Sequence, residues 1–507
     1  MLDLIVRNVT VVDGSGEKSY LGDVGIKDGV FVMNTAGTNA VMEVDATGKV
    51  MTPGFIDSHS HMDALLGKMD DVAAIAKINQ GVTTEITGQC GESRFPLVDT
   101  DEYFDYMERL PKVGNYAFMC GHSAIREKVM QMCASRPSQA QLQLMKDYVK
   151  KGMEHGAFGM TSGLIYVPGV YAQEEELTEL CRIVHEYGGT YATHMRSESD
   201  HIVKAVEEAI RVAENAGVPL VISHHKICGK QNWGKSKDTL GLVHAAIDRG
   251  MKVTIDQYPY DASQTTLSTS ISPDYFTEGY DVLCRKLMDE KVRKEIRARM
   301  TSPDINYNCG YRNAGGFDGI LVVSTPKTKD AEGLTIEQYA AKCGIDPFDA
   351  YFNIIAANGK DTGAIYFVIN PGEINDIYLD ENTIVGSDSN IFSAQGPVHP
   401  RAYGTFVRSI RHYVKDEGII SLEKAVRKQT SLTAQRWGIK NKGLIKEGYD
   451  ADFLLLDYAR LEDKATYTDG RQLCEGVDEV YVSGILVYKD KKLTGAKPGR
   501  CVLKTNM

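Results

Sequence analysis

The chain has 507 residues, a formal net charge of −11 and 43% hydrophobic residues, long enough for one large domain with satellites or for two or three ordinary ones around a substantial core. The negative balance argues against binding a phosphate backbone, which needs clustered Lys and Arg, and makes a small molecule the more natural partner. No apolar run approaches the roughly 18 residues that span a bilayer, and MLDLIVRNVT lacks a basic segment followed by a long apolar core. A cytoplasmic enzyme without nucleic-acid or membrane partners is therefore expected, with a homo-oligomer left open.

In chain order, residues 1 to about 50 read as short strands broken by D-G, S-G and T-G turns. From about 440 to the end the same style returns, in GLIKEGYDADFLLLDY and VDEVYVSGILVYKDKKL, so both termini are expected to build one small β-sandwich domain (1–52 with 440–507). Between them, residues 53–439 alternate strand-like and helical segments, the signature of βα units and a parallel sheet. Eight strand runs can be counted: KVMTPGFIDSH (50–60), VTTEITG (82–88), NYAFMCGH (115–122), AFGMTSG (157–163), TYATH (190–194), PLVISH (219–224), KVTIDQY (252–258) and TIVGSD (383–388). HIVKAVEEAIRVAENAG carries Ile202, Val206, Ala209 and Ala213 at helical spacing, with Gly217 as the stop. The expectation is an α/β fold, a (β/α)8 TIM barrel, with an inserted subdomain at about 285–350 between strands seven and eight. CRKLMDEKVRKEIRARMTS (284–302) reads as one charged surface helix within the long gap.

In such a barrel the chemistry stands at the C-terminal strand ends. Those ends carry His59 and His61, then Cys90, His122, His194, His224, Tyr258 and Asp388. Each alone has a structural explanation, such as a satisfied core histidine, a buried thiol or an Asx turn, but all must hold together. Imidazole, thiolate and carboxylate on one rim are the donors of a borderline-soft metal such as zinc. His59 and His61 alternate along an extended segment and so can face one ion, while the alternation of Leu220, Ile222 and His224 favours His224 over His225 as the inward ligand. The ten cysteines include no C-x-x-C pair, and most read as reduced core thiols.

PGFIDSHSHMD, GVTTEITGQCG, GMTSGLIYVPGVYA, YATHMRSES, ISHHKICG, DQYPYDAS, VGSDSN and VHPRAYGTF together resemble the amidohydrolase superfamily, and within it the D-aminoacylase group of N-acyl-D-amino-acid deacylases. The resemblance runs along nearly the whole chain, 270–380 excepted. It implies that Cys90, His194 and His224 hold a tight Zn2+ and that His59 and His61 belong to a second, weaker metal position. It implies further that Cys90 replaces the carboxylated lysine that many relatives carry on the fourth strand, where AFGMTSG has none. It makes Asp388 the proton shuttle and Tyr166 a hydrogen-bond donor to the scissile carbonyl. Lys226, Arg401 and Tyr258 match positions that hold the substrate's α-carboxylate.

The implied reaction is zinc-dependent hydrolysis of the amide of a small N-acyl-D-amino acid to a carboxylic acid and a free D-amino acid. Alternatives are a D-residue dipeptidase, or a cyclic-amide hydrolase or deaminase of the same superfamily; a metal-free scaffold would have lost ligands. Two departures bear on the side-chain pocket: DSNIFSAQGPVHPR lacks the commoner SDG opening, and Gln264 stands where members often have a small residue.

Overall fold

The computed structural model describes residues 1–98 and 100–504. Eight parallel strands form the barrel: β1 (Phe55–Asp57), β2 (Val82–Thr87), β3 (Asn115–Phe118, resumed at Cys120–Gly121), β4 (Gly159–Gly163), β5 (Thr190–His194), β6 (Leu220–Ile222), β7 (Val253–Gln257) and β8 (Thr383–Val385). They pair in sequence order. The ring closes where Ser60 bridges Ser389 and the Asp388 N–H donates to the His59 carbonyl at 2.8 Å. Between β3 and β4 the lower seam is filled by Cys501–Val502, which pairs with Tyr116 and Ala117. Each of the eight expected runs thus supplies a barrel strand, although the start of the first, Val50–Pro53, belongs to the sheet of the termini.

The helices pack outside by burying one face. Ile202–Ala216 buries Ile202, Val206, Ala209 and Ala213, and Gly217 ends it with φ +74°, the left-handed conformation that glycine adopts without a Cβ clash. Both termini contribute to one nine-stranded sheet, joined where Val50–Pro53 runs antiparallel to Phe453–Leu456. Phe453 stacks on Tyr481 there, with ring centroids 4.3 Å apart. Among the described residues no helix is long and apolar enough to cross a membrane.

Between β7 and β8 lies a three-stranded antiparallel sheet of Ala262–Thr265, Gly363–Phe367 and Ile320–Ser324, with helices around it. Its central strand, Gly363–Phe367, and one edge, Ala262–Thr265, lie on either side of the 285–350 stretch expected as an insertion, and the other edge, Ile320–Ser324, lies within it. The single charged helix expected at 284–302 is two helices, Tyr280–Lys286 and Glu290–Met300. The break occurs because Asp289 caps the second helix, its carboxylate accepting from the Lys291 N–H.

One buried network fixes the rim where the barrel closes. Lys77, on the helix after β1, is 1% exposed. Its ammonium donates to Asp57, to Ser387 at 2.7 Å and to Ser389. Asp57 in turn accepts the His59 and Ser387 backbone N–H groups at 3.1 and 2.8 Å. One lysine thereby ties the tips of β1 and β8, which carry His59, His61 and Asp388. Removing one partner of such a pair leaves the other charge buried. Lys77→Met is expected to lower stability by about 3–5 kcal/mol, read as a reduced urea midpoint; an unchanged midpoint would show that the network does not hold the rim.

Candidate metal centre

The local sequence at the end of β2 explains how Cys90 is aimed inward. Gly88 has φ +78°, and a Cβ there would lie 2.5 Å from the Met119 carbonyl oxygen. Gly91 has φ +76°, with its would-be Cβ 2.8 Å from the Gly163 nitrogen. Between them Cys90 itself is left-handed, φ +53°, as are His224 (+36°) and Asp388 (+49°). Such backbone is costly for residues with a Cβ and gathers at functional sites. It also corrects two expectations of simple alternation: β6 ends at Ile222, and a reversed backbone, not strand pleating, turns His224 inward. Lys226 likewise lies beyond extended strand, yet its ammonium returns to within 3.0 Å of His224 Nδ1.

The Cys90 sulfur lies 3.3 Å from His59 Nε2, 3.3 Å from His224 Nε2 and 3.7 Å from His194 Nδ1. Asp388 Oδ1 is 3.6 Å from His59 Nε2 and 3.4 Å from His61 Nε2. His59, Cys90, His224 and Asp388 form one group of converging donors, and His194, Glu198 and His224 another. For zinc, bonds of about 2.3 Å to sulfur and 2.0 Å to nitrogen at tetrahedral angles leave the two donors about 3.5 Å apart. The observed separations fit that requirement, and the donor set is chemically right for it. Burial pushes the Cys90 thiol well above its ordinary range, and Asp388 adds to this. Burial also drives His194 and His224 well below theirs, keeping both imidazoles neutral and able to donate lone pairs. Burial opposes ionisation of Asp388, but the Arg401 guanidinium beside it outweighs this and holds the carboxyl well below the usual range.

The other expected residues stand around this centre. Arg401 donates to Asp388 Oδ2 at 2.8 Å, and its guanidinium carbon is 4.7 Å from the Tyr258 ring centroid. Lys226 lies 5.8 Å from the same ring. The Tyr258 hydroxyl is buried without a hydrogen-bond partner among the described residues. Tyr166 sits edge-on to His194, with its hydroxyl 3.0 Å from Thr265 Oγ1. His122 turns away from the donors to Glu176 at 2.9 Å, and His225 turns to Thr239, also at 2.9 Å.

Two carboxylates escaped sequence reasoning. Asp256, fully buried in β7, accepts the His224 N–H at 2.7 Å and lies 3.4 Å from His59 Nδ1. Glu198 lies 2.9 Å from His224 Nδ1 and pairs with Lys226. Such partners fix which imidazole nitrogen faces a metal. An aspartate inside the apolar strand VTIDQ, and a glutamate four residues after His194, were the available signals.

Comparison with known proteins gives the same picture. The amidohydrolase family model matches residues 42–302 and 378–488. The chain is 32% identical to the D-aminoacylase of Alcaligenes xylosoxydans xylosoxydans, over 99% of this chain and 98% of that one. It is 30% identical to the N-acyl-D-aspartate deacylase of the same organism, over 98% and 94%. The N-acyl-D-glutamate deacylase of Bordetella bronchiseptica, solved with zinc and a phosphonate mimic of the tetrahedral intermediate, superposes with a TM-score of 0.85 at 28% identity, covering 99% of each chain. From its barrel, its rim of donors and this match over most of its length, the chain belongs to the amidohydrolase family.

Proposed function

We propose that this chain hydrolyses the amide bond of N-acyl-D-amino acids with zinc, releasing a carboxylic acid and the free D-amino acid. The observation that carries the reading is the pair of buried cations, Lys226 and Arg401, on the Tyr258 ring beside a thiol-imidazole-carboxylate cluster. A neutral cyclic amide or a base offers nothing for two cations to grip, whereas an acylated amino acid brings an α-carboxylate. The D configuration is carried by the relatives' substrates.

Cys90, His194 and His224 would hold the tight zinc, and His59 and His61 a second, weaker one, with the Cys90 sulfur within reach of both sets. When bound, zinc acidifies water and polarises the amide carbonyl. Arg401 and Lys226 grip the α-carboxylate, and the Tyr258 hydroxyl, lacking another partner, donates to it. Because Arg401 already sits on Asp388, a carboxylate held by Arg401 brings the amide beside that group. Asp388 takes the proton of the attacking water and returns it to the departing nitrogen. The Tyr166 hydroxyl donates to the carbonyl oxygen as its charge grows.

Zinc-loaded protein offered N-acetyl-D- and N-acetyl-L-amino acids is expected to release amine from the D series at least about 100-fold faster. Asp388→Asn is expected to cut kcat by about 10²–10⁴-fold with zinc content retained. Silence across the series, or full activity in that variant, would overturn the reading. Glu198→Gln, which removes an anchor of His224, is expected to weaken zinc binding about 10–100-fold in competition with a chelator, at unchanged circular dichroism. Equal affinity would remove Glu198 from the metal's support.

A further inference from the structure

Relatives near 30% identity act on acidic D-residues as well as giving the group its general name, so identity alone does not say which side chain this enzyme reads. The walls of the cleft do. It runs from His194 and Asp388 outward to Asn308, Asn313 and Tyr366, which come from the segment between β7 and β8. Among its described lining residues the one cation is Lys226, which pairs with Glu198 and is committed, on the reading above, to the α-carboxylate. Gln264 is also spent: its amide donates to the Asn390 carbonyl at 3.2 Å and accepts from the His399 N–H at 3.3 Å.

The two asparagines are oriented oppositely. Asn308 Oδ1 accepts from Ser199 Oγ at 2.9 Å and from Asn313 Nδ2 at 3.3 Å. That leaves the Asn308 Nδ2 donors and the Asn313 Oδ1 acceptor without protein partners among the described residues, on the wall of the same cleft. An N–H donor beside a C=O acceptor is the complement of a primary carboxamide, whose oxygen accepts from the first and whose NH2 donates to the second. A carboxylate would set an anionic oxygen against Asn313 Oδ1 with no free cation to offset it. The substrate's side chain branches from the carbon that bears the α-carboxylate, so it departs beside Lys226, where Cys228, Val368 and the two asparagines form the wall.

We propose that Asn308 and Asn313 read the substrate side chain and select a primary carboxamide, the N-acyl derivatives of D-glutamine and D-asparagine, over the corresponding acids. This rests on the deacylase reading above. The test compares kcat/KM of the zinc-loaded enzyme for N-acetyl-D-glutamine, N-acetyl-D-glutamate and N-acetyl-D-methionine, and repeats it with Asn308→Asp. The expected results are a preference for glutamine over glutamate of about 100-fold and a fall of about 10-fold in the glutamine-to-methionine ratio in the variant. Glutamate cleaved as well as glutamine, or a folded variant with an unaltered ratio, would overturn this inference and leave deacylation standing. No release from any of the three would overturn both. The wild-type glutamine-to-glutamate ratio decides the matter if the variant does not fold.

Discussion

A thiol enclosed by imidazoles and a carboxylate sets the terms for the rest of the structure. Burial keeps the Cys90 proton on, and burial keeps His194 and His224 neutral. Nearby Asp388 makes a free thiolate still less favourable. A divalent ion would resolve the conflict, since it would take the thiolate and the imidazole lone pairs together and return strong bonds for lost hydration. The geometry is prepared at a cost: Cys90, His224 and Asp388 each occupy left-handed backbone worth about 1–3 kcal/mol of strain. The offset comes from neighbours that over-determine each position. Two glycines flank Cys90, Asp256 holds the His224 N–H, and the His59 carbonyl holds the Asp388 N–H.

Around that centre the labour divides along the chain. The barrel supplies the converging donors, because its strand tips meet and the Lys77 network locks the tips of β1 and β8 in register. The segment between β7 and β8 adds Asn308, Asn313, Tyr366 and Val368 to the wall of the cleft, apart from the strand tips that carry the converging donors. Ala262–Thr265 joins the two: its Gln264 carbonyl accepts from Arg401 at 3.2 Å, while Thr265 meets the Tyr166 hydroxyl. On the proposal above, a change in the wall would alter the preferred side chain without touching the thiol or the histidines.

The eight strands were legible because each is a short apolar run ending in polar residues, and a parallel barrel demands that pattern. The rim was legible for the same reason: His59, His61, Cys90, His194, His224 and Asp388 close strand-like runs. What escaped depends on contacts between distant segments. Asp256 and Asp57 look like ordinary polar interruptions of a strand until the His224 N–H and Lys77 are seen to meet them. Lys77 looks like a helix surface charge, although it is buried. Asn308 and Asn313 lie where no motif reaches, and their complementarity arises from Ser199, more than a hundred residues earlier. The helix break at 287–289 was local, but it turned on one capping aspartate within a run of charges.

The measurement that bears most directly on the central thiol is X-ray absorption at the zinc edge of the zinc-loaded protein, with Cys90→Ser alongside. Zinc held by Cys90 gives sulfur in the first shell at about 2.3 Å together with imidazole nitrogen at about 2.0 Å, and loss of the sulfur contribution in the variant. A first shell of nitrogen and oxygen alone in the wild-type protein would contradict it, and would return Cys90 to the role of a buried core thiol.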